Sequence, residues 1–322
     1  MKVTFFFQYS FRSLLIISSF FLKIAVKNTS GITNVNMTNI ATLVFLWDNI
    51  LKLKENIMKE RSFTIATFNA NGIRARLHII LPWLDDYNVD CLCIQETKVQ
   101  DKDFPVEVFE ERGLNVVFRG QKSYNGVAVI TPHPVETVFF GFPDNDRNRE
   151  EEARQICVQI ADLTIVNSYV PQGRSIDNPA FQRKLQWFSR ILNLLDEKFG
   201  PSSPLIWCGD MNVAPEPIDV YAPELKENHV CFHRSVREAF KKILKWGMSD
   251  CFRLIHPGEP EQYSFFDYRI PRAVERKLGW RIDHILATAP VASNIKDSFI
   301  DLEPRKKNKP SDHTFVVAHF QL

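Results

Sequence analysis

The chain has 322 residues, 45% of them hydrophobic and 24% charged, the balance of an ordinary globular protein without repeats or low-complexity tracts. That length accommodates one large domain or two smaller ones. The first 57 residues hold six basic and two acidic side chains, leaving 34 basic against 36 acidic in the remainder, so the main body does not read as a nonspecific coat for nucleic acid.

Residues 1–57 differ in character from the rest of the chain. Phe5-Phe6-Phe7 and the run from Leu14 to Leu22 are apolar and flanked by Lys2, Arg12 and Lys23. The longer run is about nine residues, where a bilayer span needs roughly 20. Its length matches the apolar part of a secretory signal, but Asn28-Thr29-Ser30-Gly31 stands in place of a small-residue cleavage site. Ile40 to Ile57 has the pattern of an amphipathic helix. The expectation is a segment either added to the working protein or spurious to it, with translation from Met58 as one alternative. The domain boundary then falls between residues 57 and 58.

Regular patterning begins at Phe63. Phe63-Thr64-Ile65-Ala66-Thr67-Phe68 predicts a strand that ends on Asn69-Ala70-Asn71-Gly72. Residues 73–88 carry a helical pattern of Ile, Leu and Trp, and Val89 to Ile94 form a buried strand running into Gln95-Glu96-Thr97-Lys98. Strands are expected over 126–131, 156–160 and 163–168, the last ending on Tyr169. Leu185, Phe188, Ile191, Leu192 and Leu195 give 181–199 the spacing of a surface helix, closed by Gly200-Pro201. Leu205-Ile206-Trp207-Cys208 is a strand that stops on Gly209-Asp210-Met211-Asn212, and alternation sends Asp210 and Asn212 to one side. A helix over 235–246 and strands over 281–287 and 314–320 complete the pattern. Many strands with few intervening helices do not fit a doubly wound sheet. An α+β sandwich fits better: two packed, mixed β-sheets flanked by helices, with polar strand ends gathered at one edge.

Those ends are Asn69, Glu96, Tyr169, Asp210, Asp283 and the pair Asp312-His313. Singly, each also fits a plainer role. Residues 69–72 and 210–212 suit turns, Glu96 suits a surface pair with Lys98, Asp283 suits a half-buried pair with His284, and Ser311-Asp312 suits a cap. Together they offer oxygen donors (Asn69, Glu96, Asp210, Asn212, Asp312) and one titratable imidazole, His313. With no paired Cys/His spacing, such a set suits Mg²⁺ or Mn²⁺ rather than zinc. An imidazole among carboxylates titrates near neutrality and can polarise a phosphate or carry a proton. The six cysteines (91, 93, 157, 208, 231 and 251) are scattered and read as reduced core thiols of an intracellular protein.

Eight segments recur in the order of a known family. They are Phe68-Asn69-Ala70-Asn71-Gly72-Ile73-Arg74, Gln95-Glu96-Thr97-Lys98, Asn125-Gly126-Val127-Ala128 and Tyr169-Val170-Pro171-Gln172-Gly173 in the first half. The second half supplies Gly209-Asp210-Met211-Asn212-Val213-Ala214-Pro215, Ser264-Phe265-Phe266-Asp267-Tyr268-Arg269, Trp280-Arg281-Ile282-Asp283 and Lys309-Pro310-Ser311-Asp312-His313. In these, residues 63–322 resemble the exonuclease III family of DNA repair nucleases, within the endonuclease/exonuclease/phosphatase superfamily. The resemblance implies the four-layer α/β sandwich of DNase I-like proteins. It also implies Mg²⁺-dependent hydrolysis of the phosphodiester 5′ to abasic sites in double-stranded DNA, with Mn²⁺ as a substitute ion. Accompanying 3′→5′ exonuclease and 3′-phosphatase or phosphodiesterase activities are implied as well.

Carried over by residue, the resemblance makes Glu96 and Asn69 the anchors of the metal, with Asp312 near it. Asp210 and Asn212 would offer a second locus, and His313 is the remaining candidate ligand. Asp283 would orient His313, while His313 and Asn212 hold the scissile phosphate and Tyr169 donates to it. Asp210 would activate water or protonate the leaving oxygen, and the sequence leaves both roles open. Phe266 and Trp280 would wall a pocket for a base-less sugar, core packing being the alternative for each. Arg74, Lys98, Asn125, Gln172, Arg174 and Arg269 are candidates for phosphate contact. Arg305-Lys306-Lys307 is a solvated loop or a further DNA contact. The expected partner is double-stranded DNA with abasic sites or 3′ ends, handled by a cytoplasmic, nucleoid-associated monomer with no obligate protein partner and no membrane association. Two rival readings share parts of the pattern: a phosphodiesterase of the superfamily acting on phospholipid or inositol phosphate, and a non-catalytic DNA-binding scaffold. An intact set at 69, 96, 210, 212, 283 and 313 argues against the scaffold.

Overall fold

The computed structural model describes residues 62–142 and 152–322. The front segment 1–57 and the start at Met58 lie outside the described residues. Strand β1 (Ser62–Asn69) turns Phe63 and Ile65 to one buried face and Ala66 and Phe68 to the other. A strand covered on both faces shows a continuous apolar run rather than alternation, as β1 and its parallel neighbour β2 (Cys91–Gln95) do. The crossover between them is helix α1 (Ile73–Tyr87), which ends where Asn88 takes a left-handed conformation and donates its N–H to Leu84 O.

The same plan appears twice. One sheet has the order β11-β12-β1-β2-β4-β3, with β3 at Asn115–Arg119, β4 at Val127–Thr131, β11 at Ile295–Asp301 and β12 at Phe315–Gln321. The other has the order β5-β6-β7-β8-β10-β9. Its strands are β5 (Thr137–Phe140), β6 (Gln155–Ile160), β7 (Leu163–Tyr169), β8 (Leu205–Asp210), β9 (Met248–Asp250) and β10 (Asp283–Thr288). In each sheet the third and fourth strands run parallel and the other neighbours antiparallel. The β7–β8 crossover contains helix α2 (Pro179–Lys198), against which α3 (Arg234–Trp246) packs. Among the described residues no helix is long and apolar enough to cross a membrane.

Three apolar layers separate four structural ones. Between the sheets, Ile65, Cys93, Val129 and Val316 meet Ile165, Ile206, Cys208 and Ile285. Outside the first sheet, Trp83 of α1 stacks on Phe315, which stacks on Phe68, at centroid distances of 3.9 and 4.0 Å. Outside the second, the fully buried Trp207 lies among Phe188, Ile191 and Phe240, its indole N–H donated to Ser168 Oγ at 3.0 Å. Truncating one of these aromatics to alanine costs about 3–5 kcal/mol. All six cysteines are buried and free.

Strands β3, β5, β9 and β11, which the sequence pattern does not announce, are the four outer strands of the two sheets. Edge strands such as β3 and β11 are only partly buried, so they lack the apolar run that marks a central strand. A polar bridge then ties sheet to sheet near the polar edge. Gln95 Nε2 donates to Thr67 Oγ1 and, across the interface, to Asn167 Oδ1 at 2.7 Å. Asn167 Nδ2 donates back to Ile94 O and Ala128 O. Buried amides paired across the interface in this way fix the relative height of the sheets, because a slip would break several of these bonds at once.

Candidate active site

The carboxyl ends of the two parallel pairs meet at one edge of the sandwich. Asn69 ends β1, Glu96 comes directly after β2, and Tyr169 and Asp210 end β7 and β8 as direct neighbours. Asp283 opens β10 opposite Asp210 in the antiparallel register, and His313 enters just before β12. Turning these side chains inward needs unusual backbone. Asn71, Glu96, Lys98, Asn125, Arg174 and Asn212 all have φ between 47° and 59°. Such positive-φ residues persist only where surrounding contacts hold them. Gly209 is obligatory for a different reason, since a Cβ there would lie 1.9 Å from Ser168 O, inside the β7–β8 ladder.

A single hydrogen-bond web joins the two walls. Asn69 Nδ2 donates to Glu96 Oε1 at 2.8 Å and to Asp210 Oδ2 at 2.9 Å, while its Oδ1 accepts the Asn71 N–H. Asn71 Nδ2 donates to Asp312 Oδ1, and Lys98 Nζ reaches both Asn71 Oδ1 and Glu96 Oε2. On the opposite wall His313 Nδ1 lies 2.8 Å from Asp283 Oδ2, which also accepts from Ser264 Oγ at 2.6 Å. His313 Nε2 lies 3.8 Å from Asp210 Oδ2. The Asp283 contact fixes which face of the ring is free: Nε2 points towards Asp210 and the cleft.

Crowding of acids around one imidazole sets the charges. Burial is the largest influence on Asp210; it outweighs the attraction of His313 and, with Asp283 close by, raises the carboxyl to about 7. Burial opposes charge on His313, yet Asp283 and Asp210 prevail and raise the imidazole to about 10. The ring is therefore an imidazolium at neutral pH. Burial pushes Glu96 up, but hydrogen bonds from Asn69 and Lys98 more than offset it and leave its carboxyl below the usual range. Burial, then the Glu96 and Asp210 carboxylates, hold the Tyr169 phenol protonated far above its usual value.

Glu96, Tyr169, Asp210 and His313 line a cleft of about 220 Å³ together with Gln172, Asn212, His229, Cys231, Phe265, Asp267, Arg269, Trp280, Ile282 and Asp312. The donor set fits a hard divalent cation. Glu96, Asp210 and Asp312 supply carboxylate oxygens to the cleft, and among the described residues Asp210, Asp283 and His313 bring donor atoms within 4.8 Å of one another. Asn69 stands apart from the other candidates, because its NH₂ is spent on two carboxylates and its oxygen on a backbone N–H.

The DNA-contact candidates divide. Gln172, Arg269 and Trp280 face the cleft, and Arg74 and Arg174 are exposed. Lys98 is committed to Glu96, and Asn125 is buried with its amide on Gln121. Phe266 requires correction. It is 2% exposed and packs with Tyr263 and Ala273 behind the cleft, so it takes the core-packing alternative and does not line this cleft. Phe265 takes that place, its ring 4.8 Å from His313. The segment is extended, with Phe265 bridged to Trp280 and His313, so neighbouring side chains point to opposite sides. Arg305 is also not a free DNA contact: its guanidinium donates to Ser311 O and Phe266 O and lies over the Tyr268 ring. No sequence signal singles out His229; it packs 4.4 Å from Trp280, and burial, with Lys184 nearby, lowers its imidazole to about 4.

Comparison with known proteins bears on what such a cleft does. A model of the Endonuclease/Exonuclease/phosphatase family matches residues 66–313. An exodeoxyribonuclease III of Haemophilus influenzae is 32% identical over 266 residues, spanning 79% of this chain and 98% of that one. A solved AP endonuclease from Archaeoglobus fulgidus is 48% identical, covering 81% of this chain and 100% of its own, with a TM-score of 0.78. A 3′ phosphatase from Neisseria, solved with a product DNA hairpin, is 35% identical over 80% of this chain and 99% of its own, with a TM-score of 0.75.

Proposed function

The chain belongs to the Endonuclease/Exonuclease/phosphatase family, and from that premise we propose that it is a DNA repair nuclease of the exonuclease III type. It hydrolyses the phosphodiester 5′ to abasic sites in double-stranded DNA and removes nucleotides or phosphate from 3′ ends. The observation that carries the reading is the Asp210–His313–Asp283 group, set beside Glu96 in a cleft walled by Phe265 and Trp280. We assign residues 58–322 to the catalytic unit, acting as a monomer on DNA in the cytoplasm.

The roles derive from the charges. Glu96 and Asp312 would hold Mg²⁺, or Mn²⁺ in its place, which leaves Asp210 free as a base. The bound ion supplies neutralisation of the charge that builds on the phosphoryl oxygens. His313, held as a cation through Asp283, keeps its proton and donates an Nε2–H hydrogen bond to a phosphoryl oxygen of the scissile group. Asp210, with a carboxyl near 7, accepts a proton from the attacking water as the water oxygen bonds to phosphorus. The P–O3′ bond breaks, the leaving oxygen takes a proton from solvent, and Asp210 then returns its own to solvent. Tyr169, kept protonated, and the second amide hydrogen of Asn212 (the first is donated to Val170 O) steady the phosphate. Trp280 and Phe265 accept a sugar without its base and reject one with it, while Arg74, Arg174 and Arg269 meet flanking phosphates.

The test is incision of a labelled duplex carrying one abasic-site analogue, with Mg²⁺ or with EDTA, by wild type and Asp210→Asn. Metal-dependent cutting on the 5′ side of the lesion, lost in the variant, is expected. Absence of cutting by folded wild type, with turnover of a phospholipid or inositol phosphate instead, would overturn the assignment.

A further inference from the structure

Lys184 lies in the middle of α2 and is entirely buried, with 0% of its surface exposed. Lysine is almost never fully buried without a paired acid. Here its three ammonium hydrogens match three backbone carbonyls: Asn212 O at 2.6 Å, Val230 O at 2.7 Å and Gln172 O at 3.1 Å. Among the described residues no carboxylate forms an ion pair with it, and it senses Asp210 through charge alone. The three carbonyls belong to three separated segments on two connections, each of which supplies the cleft: Gln172 itself after β7, and, between β8 and α3, Asn212 beside Asp210 and the stretch carrying His229 and Cys231. The first loop also rests on the lysine stem. A Cβ placed on Gly173, where φ is +101°, would sit 3.4 Å from Lys184 Cδ.

We propose that Lys184 is a positioning residue for the nuclease reaction, a latch whose single ammonium holds three segments of the cleft wall, one after β7 and two between β8 and α3, in one arrangement. Carbonyls from three segments converge on a buried cation only if the segments keep fixed positions, so the latch transmits the rigidity of α2 to Asn212 and Asp210. A neutral side chain of equal length would leave three buried carbonyls unsatisfied and free the loops to separate. Displacement of reacting groups by about 1 Å is enough to slow a chemical step about 100-fold. Ground-state contacts with the duplex, spread along the rim, would change far less.

The proposal rests on the nuclease reading for its kinetics but not for the latch itself, so two readouts are taken on the full chain. In Lys184→Met, single-turnover incision of the abasic duplex is expected to slow about 100-fold at unchanged amplitude. Affinity for the same duplex in EDTA should stay within about threefold, and propylammonium added to Lys184→Ala should restore part of the rate. Amide exchange should quicken together at 172–173, 211–213 and 229–232 while the central strands keep their protection. A rate within threefold of wild type would overturn the proposal, as would a loss of amplitude alone or accelerated exchange throughout the core. Should wild type prove inactive on the duplex, the nuclease reading falls, and the exchange pattern still decides whether the latch exists.

Discussion

Two buried clusters of charge lie on either side of the short segment Trp280–Asp283, and they are built on opposite terms. In one, Arg281 is 1% exposed and donates through Nε to Asp219 and through Nη1 to Asp250, while Arg253 also reaches Asp219. Burial raises both carboxyls, but the arginines overcome it and leave each below the usual range. Every charge there has an opposite within reach. In the other, Asp210, Asp283 and Glu96 crowd one imidazole, Asp210 is driven up to about 7, and Asp283 Oδ1 is buried without a hydrogen-bond partner. The first cluster sets the height of Trp280 and Asp283. The second is left electrostatically strained, which is the mark of a site arranged for a reacting group rather than for stability.

That contrast breaks first at Asp210. Asp210→Asn is expected to slow incision on the order of 10³- to 10⁴-fold without loss of stability. In EDTA its Tm should exceed that of wild type by a margin that widens as pH rises. The sign comes from a raised folded value: the ionised Asp210 is tolerated worse in the folded than in the unfolded chain, so its contribution is lost between the ordinary carboxyl range and about 7. Thermal melts at pH 4, 6 and 8 test this, and a margin that shrinks with pH would refute it. Arg281→Met should behave conversely, costing about 3–5 kcal/mol in urea unfolding by leaving the buried Asp250 without its guanidinium and Asp219 with Arg253 alone. A cost below about 1 kcal/mol would mean that the cluster is not what holds Trp280 and Asp283.

Acid sharpens the comparison further. Asp219 and Asp250 have depressed folded values, so their contribution is present above the unfolded carboxyl range, about 3.9, and is lost as pH falls below it. Wild type should lose Tm steeply below about pH 4, and Arg281→Met should show a shallower fall. The smallest effect is expected at the pocket wall. Phe265→Ala should raise KM for the abasic duplex about tenfold, equivalent to about 1.4 kcal/mol, with little change in Tm. A large stability loss there would place Phe265 in the core beside Phe266.

Legibility in the sequence obeys the same physics. Central strands such as β1, β2 and β8 are apolar on both faces and stand out as runs, whereas the edge strands β3, β5, β9 and β11 do not. Residues at strand ends, Glu96, Asp210, Asp283 and His313 among them, can be gathered because alternation and chain order fix where they emerge. Parity fails at Phe265-Phe266, where no flanking pattern tells which aromatic faces inward. Alternation from Trp280 through Asp283 carries no information about the Phe265 bridge that settles it. Lys184 is invisible for another reason: a lysine on an amphipathic helix reads as a solvated side chain, and only the convergence of three separated segments buries it.

The most direct test of the division of labour between Asp210 and His313 is the pH dependence of single-turnover incision by the full chain in Mg²⁺. The rate should rise as Asp210 loses its proton and then stay level past pH 8, since His313 keeps its proton until about 10. A rate that falls between pH 6 and 8 would contradict the assignment of Asp210 as base and His313 as the standing cation.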